Sequence, residues 1–153
     1  MLIRTDDLRG PEIAALLESH LTLMRSLSPP CSVHALDLEK LRAPAVTFWT
    51  VWDGADLMGC GAIKEMDPAQ AEIKSMHTAA RFRGRGVAAH LLKHILATAR
   101  GRGYRRLSLE TGSQDGFAPA RALYAAHGFA ECGPFEGYAP DPASTFMTLD
   151  LGT

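Results

Sequence analysis

The stretch EIKSMHTAARFRGRGVA, residues 72–88, decides how this chain is read. Its first half belongs to a strand expected from Ala71 to Thr78, with imperfect alternation. Its second half is a glycine-rich loop carrying Arg81, Arg83 and Arg85. From Val87 onward, Leu91, Leu92, Ile95 and Leu96 recur at helical spacing until Gly101 and Gly103 stop the helix. A loop of this kind between strand and helix turns backbone N–H groups outward at the positive end of the helix dipole, which suits a phosphate. Gly84 and Gly86 would let an anion approach the main chain without Cβ obstruction, and the arginines would add charge-assisted contacts. The same residues also fit a plain strand-to-helix turn with solvated arginines. The Walker lysine–hydroxyl pair and the GxGxxG dinucleotide fingerprint are both missing, which argues against a nucleotide triphosphatase and a dinucleotide site.

Outward from this stretch, Leu2 to Arg4 reads as a short strand and Gly10-Pro11-Glu12 as a helix start. Ile13, Leu16, Leu17, Leu21 and Met24 continue that helix until Ser28-Pro29-Pro30. A short second helix is expected from Ala35 to Arg42. Val46–Trp52 and Leu57–Met66 flank Asp53-Gly54-Ala55-Asp56, a hairpin signature. Beyond the glycine-rich helix come a strand at Tyr104–Glu110, a helix at Pro119–His127 closed by Gly128, and strands at Phe129–Cys132 and Thr145–Leu151. The order βααβββαβαββ is that of a layered, mixed α/β domain without internal repeats.

Bulk properties narrow the function classes. A length of 153 residues suits a single domain, and 46% hydrophobic with 22% charged residues is ordinary globular composition. A net charge of −1 leaves no global basic field, so neither nucleic acid nor an anionic membrane is an expected partner. No apolar run reaches the roughly 18 residues of a membrane span, and residues 1–7 lack a signal-peptide layout. Cys31, Cys60 and Cys132 include no C-x-x-C pair, which suits a reducing compartment, so a cytoplasmic location is expected. The spacings of His34, His77 and His127 match no ligand motif, and no metal is expected.

Residues 72–88 resemble the central motif of the GNAT superfamily of N-acetyltransferases, whose pattern is Gln or Arg, two residues, Gly, one residue, then Gly or Ala. Arg83, Gly86 and Ala88 satisfy it, and a second match can be written from Arg81 with Gly84 and Gly86. The Arg83 register is preferred, because it sets Met76 and Thr78 where the family carries apolar strand residues and Ala80 where it often carries proline. Downstream, ARALYAAHGF, residues 120–129, resembles the family's second motif: an alanine, Leu-Tyr, three residues, Gly-Phe. Phe117 departs from an asparagine that often contacts the cofactor in the family.

The resemblance implies a central, mostly antiparallel mixed sheet of six to seven strands with a splayed parallel pair, flanked by about four helices. It further implies acetyl-CoA as cosubstrate, no metal, and direct attack of an amine on the thioester. The pantetheine arm would pair with backbone at Met76, His77 and Thr78, and the pyrophosphate would rest on amides of Arg83, Gly84, Arg85, Gly86, Val87 and Ala88. Because alkylammonium groups hold their proton at pH 7, a base is wanted, and Glu72 and Glu110 compete for that role. Glu72 can equally be a strand glutamate paired with Lys74. Tyr124 matches the family's usual acid, which would protonate the departing thiolate. The expected acceptor is a small-molecule amine, with the segments 28–34 and 133–144 around it, and a homodimer is compatible with the family. A protein or peptide acceptor, or a CoA-binding module without turnover, are the competing readings.

Overall fold

The computed structural model describes residues 1–27, 38–135 and 137–152. The elements are β1 (Leu2–Thr5), α1 (Pro11–Leu27), α2 (Leu38–Leu41), β2 (Val46–Asp53), β3 (Asp56–Asp67), β4 (Gln70–Thr78), α3 (Val87–Gly101), β5 (Arg106–Gly112), α4 (Ala118–Ala126), β6 (Ala130–Cys132) and β7 (Ser144–Asp150). Their order is the one expected from sequence. Cys31 and His34, with the first residues of the expected second helix, lie outside the described residues.

One seven-stranded sheet runs β1-β2-β3-β4-β5-β7-β6. Every neighbouring pair is antiparallel except β4 with β5. The strand expected from Tyr104 begins only at Arg106, because the Tyr104 N–H is used by Ala99 O (3.1 Å) in closing α3 after Gly103. It runs on to Gly112, because Thr111 and Gly112 pair with Thr145 and Ser144 of β7.

Alternation along the strands sends side chains to two cores. Val51, Ile63, Ile73, Leu107 and Leu109 pack beneath Val87, Leu91, Leu92, Ile95 and Ala99 of α3. Phe48, Cys60 and Ala62 face Ile13, Leu16 and Leu17 of α1 on the other side. Each fully buried aliphatic side chain contributes on the order of 1.5–3 kcal/mol, and this fixes both helix layers to the sheet. Trp49 is in the α3-side core, edge-on to His94 at 5.5 Å. Trp52 lies at the far β1–β2 edge beneath the Arg4 guanidinium, 4.5 Å from its ring.

The parallel pair forks. It is in register from Gln70↔Arg106 to Ile73↔Leu109 and no further. Yet β4 stays paired with β3 as far as Thr78↔Gly59, and β5 with β7 as far as Gly112↔Ser144. The cause is local to β4. Between Ala62↔Lys74 and Cys60↔His77 the strand carries an extra residue, and Ser75 takes a left-handed φ of 57°. Such a bulge bends its strand and turns it away from the neighbour it was following. Gly61 sits opposite, and the Met76 side chain occupies the space a Cβ would need there, beside Leu91 Cδ2.

Gly59 is equally confined. A Cβ there would lie 2.9 Å from the carbonyl oxygen of His77 and 3.0 Å from Val87 Cγ1. Since backbone cannot swing aside, Gly59→Ala should destabilise the fold by about 1–3 kcal/mol through overpacking. Urea denaturation checks this, and an unchanged midpoint would contradict the close approach of β3 to the start of α3.

Candidate active site

The loop before α3 is built to leave its amides open. Gly84 and Gly86 have φ of 77° and 78°, left-handed values that a side chain disfavours. Nothing lies within 4 Å of a Cβ built at either position, so the space in front of the loop is clear. Gly86 precedes the helix and offers no side-chain cap, and the first helical bond runs from His90 N–H to Gly86 O (2.9 Å). The amides of Val87, Ala88 and Ala89 therefore have no acceptor within the helix. α3 carries no acid in its first turn to neutralise them. This is a cradle that fits a diphosphate. Arg81 is held by Asp56 at 3.1 Å, while Arg83 and Arg85 are exposed at its rim.

Met76, His77 and Thr78 form the arm of β4 that diverges from β5. Met76 points to the α3 side, against Gly61 and Leu91. His77 points to the α1 side, its ring 4.8 Å from that of His20. Burial, then Arg83, lowers the His77 pKa to about 4, and burial, then His77, lowers that of His20 to about 3. Both imidazoles are neutral at pH 7. His20 Nδ1 is buried and has no hydrogen-bond partner among the described residues.

The carboxylates at the fork have different surroundings. Glu72 is buried inside the paired part of β4, opposite Ser108. Its Oε2 is 3.0 Å from Lys74 Nζ and accepts a 2.6 Å hydrogen bond from the Tyr138 hydroxyl, which itself accepts from Lys74 Nζ at 3.0 Å. Glu110 lies one step beyond the last β4–β5 pair and makes no ion pair among the described residues. Burial raises its pKa to about 7. Ser144, whose Oγ has no other hydrogen-bond partner among the described residues, and Lys74 pull it back, while Glu72 and Asp141 push it up.

Tyr124 is buried on the other side of the sheet, edge-on to Phe129 at 5.7 Å. Burial alone pushes its phenol well above the ordinary value of 10, so it holds its proton at neutral pH. Phe117, the departure from the family pattern, fills the space above Gly112 that a Cβ there would need, and so ties the end of β5 to the turn before α4. Tyr138 was not singled out from sequence. Its only signal is that it is the tyrosine of the proline-rich loop expected near the acceptor.

A group whose folded-state pKa is raised contributes stability in full below its unfolded value, here 4.5, and loses it as pH rises through about 7. Glu110→Gln carries no buried charge at high pH. It should raise the Tm clearly at pH 8.5 and much less near pH 4. Thermal melts at both pH values test this, and an equal effect at each would contradict a half-buried carboxyl whose charge is only partly compensated.

Comparison with known proteins agrees with the geometry. The acetyltransferase (GNAT) family model matches residues 13–129. An uncharacterised N-acetyltransferase of Bacillus subtilis (strain 168) is 53% identical over 151 residues, covering 99% of this chain and 100% of the relative. A solved structure of a proposed acyl-CoA N-acyltransferase from Klebsiella pneumoniae superposes with a TM-score of 0.81 at 27% identity, covering 99% of this chain and 97% of that one. A GNAT acetyltransferase from Elizabethkingia anophelis, solved with acetyl-CoA bound, has the same fold, with a TM-score of 0.71 at 18% identity and 97% coverage of both chains. With the fork, the cradle and these relatives in agreement, the chain belongs to the acetyltransferase (GNAT) family of enzymes.

Proposed function

We propose that this enzyme transfers the acetyl group of acetyl-CoA directly to a primary amine of a small molecule, in the fork between β4 and β5. The observation that carries the reading is the joint presence of the open cradle at Gly84–Val87 and the strand arm at Met76–Thr78 that leads to it, unpaired on its β5 side. Amides 84–88 would hold the diphosphate, the Arg83 N–H being already given to Ala80 O (3.3 Å), and backbone of 76–78 would pair with the pantetheine amides as an added strand. The acetyl-CoA-bound relative with the same fold supports this. When bound, acetyl-CoA supplies the thioester carbon that the amine attacks.

The residues of this chain then divide the proton work. Glu110, with a pKa of about 7, is ionised in good part at neutral pH and still basic enough to take the amine proton, directly or through one water. Glu72 is engaged by Lys74 and Tyr138 and is the weaker candidate. As the C–N bond forms and the C–S bond breaks, Tyr124 gives its proton to the leaving sulfur; Tyr124 regains one from solvent and Glu110 releases to solvent the one it took. The products are the N-acetyl amine and free CoA thiol.

A small acceptor is favoured over a protein segment by the way the α1 face is covered. Leu27, the last residue of α1, packs against Gly116 so closely that a Cβ there would lie 2.6 Å from its Cδ2. Phe135 and Tyr138 of the β6–β7 loop stack edgewise on Phe146 at 5.8 and 5.4 Å. Apolar side chains from the end of α1 and from the β6–β7 loop thus stand close to the sheet, which suits a compact amine better than an extended segment.

Thiol release from acetyl-CoA across a panel of small amines and lysine peptides tests the reading. Turnover with a small amine is expected; saturable acetyl-CoA binding without thiol release for any acceptor would overturn it. Tyr124→Phe should lower kcat by about 100-fold or more while acetyl-CoA affinity is retained. Equal loss of both would remove Tyr124 from the acid role. Gly86→Leu should abolish acetyl-CoA binding by calorimetry while the far-UV circular dichroism stays native, and normal binding by that variant would mean the cradle is elsewhere.

A further inference from the structure

We infer that Tyr138 and Glu72 are positioning residues that divert the Lys74 ammonium from Glu110, so that the carboxylate receiving the amine proton is left without an ion-pair partner. The inference rests on the reading of Glu110 as the base and says what keeps it fit for that task.

The register makes Lys74 and Glu110 natural partners. Glu72 pairs with Ser108 across the parallel strands, so residues two further on, Lys74 and Glu110, form the next same-face pair, the first beyond the fork. A lysine and a glutamate in that relation, half-buried, would ordinarily form a salt bridge. Such a bridge would depress the glutamate by about 1–3 pH units, leaving it ionised but too weak to take a proton from an amine.

Lys74 is instead turned along its own strand. Its Nζ is 3.0 Å from Glu72 Oε2 and 3.0 Å from the Tyr138 hydroxyl, and the hydroxyl closes the triangle with its 2.6 Å bond to the same carboxylate oxygen. Tyr138 also places its ring 5.6 Å from the ammonium. The ring is seated by Phe135 at 5.1 Å and Phe146 at 5.4 Å, so the loop delivers the phenol from one fixed direction. The cluster of Glu72, Lys74 and Tyr138 is near neutral as a whole. The charged and polar groups acting on Glu110 are Lys74 and Ser144, which favour ionisation, and Glu72 and Asp141, which oppose it. Freed from its anchors, Lys74 would shift that balance toward ionisation.

Carboxyl-carbon NMR on protein labelled with 13C at glutamate reads this directly, the Glu110 resonance being identified by its loss in Glu110→Gln. Tyr138→Phe keeps every formal charge, and it should lower the Glu110 midpoint by about 1–2 pH units as Lys74 swings across. Adding Lys74→Met to that variant should return the midpoint to at least the wild-type value. Glu72→Gln removes the other anchor and also a charge that opposes ionisation of Glu110, so its fall should be at least as large, with Lys74→Met reversing the part that Lys74 carries. An unchanged midpoint in both single variants, or a fall that Lys74→Met does not reverse, would overturn the diversion. If the midpoints move as described but Glu110→Gln retains full turnover, the diversion stands and the assignment of Glu110 as base falls.

Discussion

The parallel pairing of β4 with β5 ends at Ile73 and Leu109 while each strand keeps its other neighbour, and the rest of the molecule is arranged around that opening. A sheet interior ordinarily satisfies every backbone group, so separating two central strands leaves main-chain donors and acceptors without partners where a ligand can reach them. The bend comes from the bulge at Ser75 facing Gly61, with Met76 and Leu91 packed into the space that the glycine leaves. The fork is therefore fixed by packing on the α3 side, and the α1 side is free to carry polar side chains.

Charge is handled locally. A chain with a net charge of −1 has no field to gather an anion from a distance, and the positive features it does have are local: oriented amides at the start of α3 with Arg83 and Arg85 exposed beside them. On the α1 side, burial keeps His20 and His77 uncharged and lifts Glu110 toward neutrality, while Glu72 is compensated by Lys74. One face thus holds two carboxylates in different surroundings, Glu72 engaged by Lys74 and Tyr138 and Glu110 without an ion pair among the described residues.

Much of this was legible in the sequence where the determinants are local. The element order, the cradle and the α3 packing stripe follow from spacing and from glycines whose φ values are set by immediate neighbours. The pairing of Glu72 with Lys74 follows from two residues of separation on one strand face. What could not be read depends on distant chain. Tyr138 meets Glu72 across 66 residues, and no pattern near either announces the contact. The Ser75 bulge has no glycine to mark it. Nor does the raised pKa of Glu110 have a local signature, since it comes from burial in the assembled fold and from groups on β4, β7 and the β6–β7 loop. Strand parity sets Trp49 and Trp52 on opposite faces, but that Trp52 lies at the β1–β2 edge depends on strand order, which is not written in one strand.

In the proposed function, backbone donors along the fork and at the start of α3 together receive acetyl-CoA. Hydrogen–deuterium exchange of the whole protein, with and without saturating acetyl-CoA, tests it most directly. Slowed exchange is predicted at the amides of residues 76–78 and 85–89, with little change along β1, β2 and the exposed face of α1. Protection confined to other segments, or none at these two, would contradict the account.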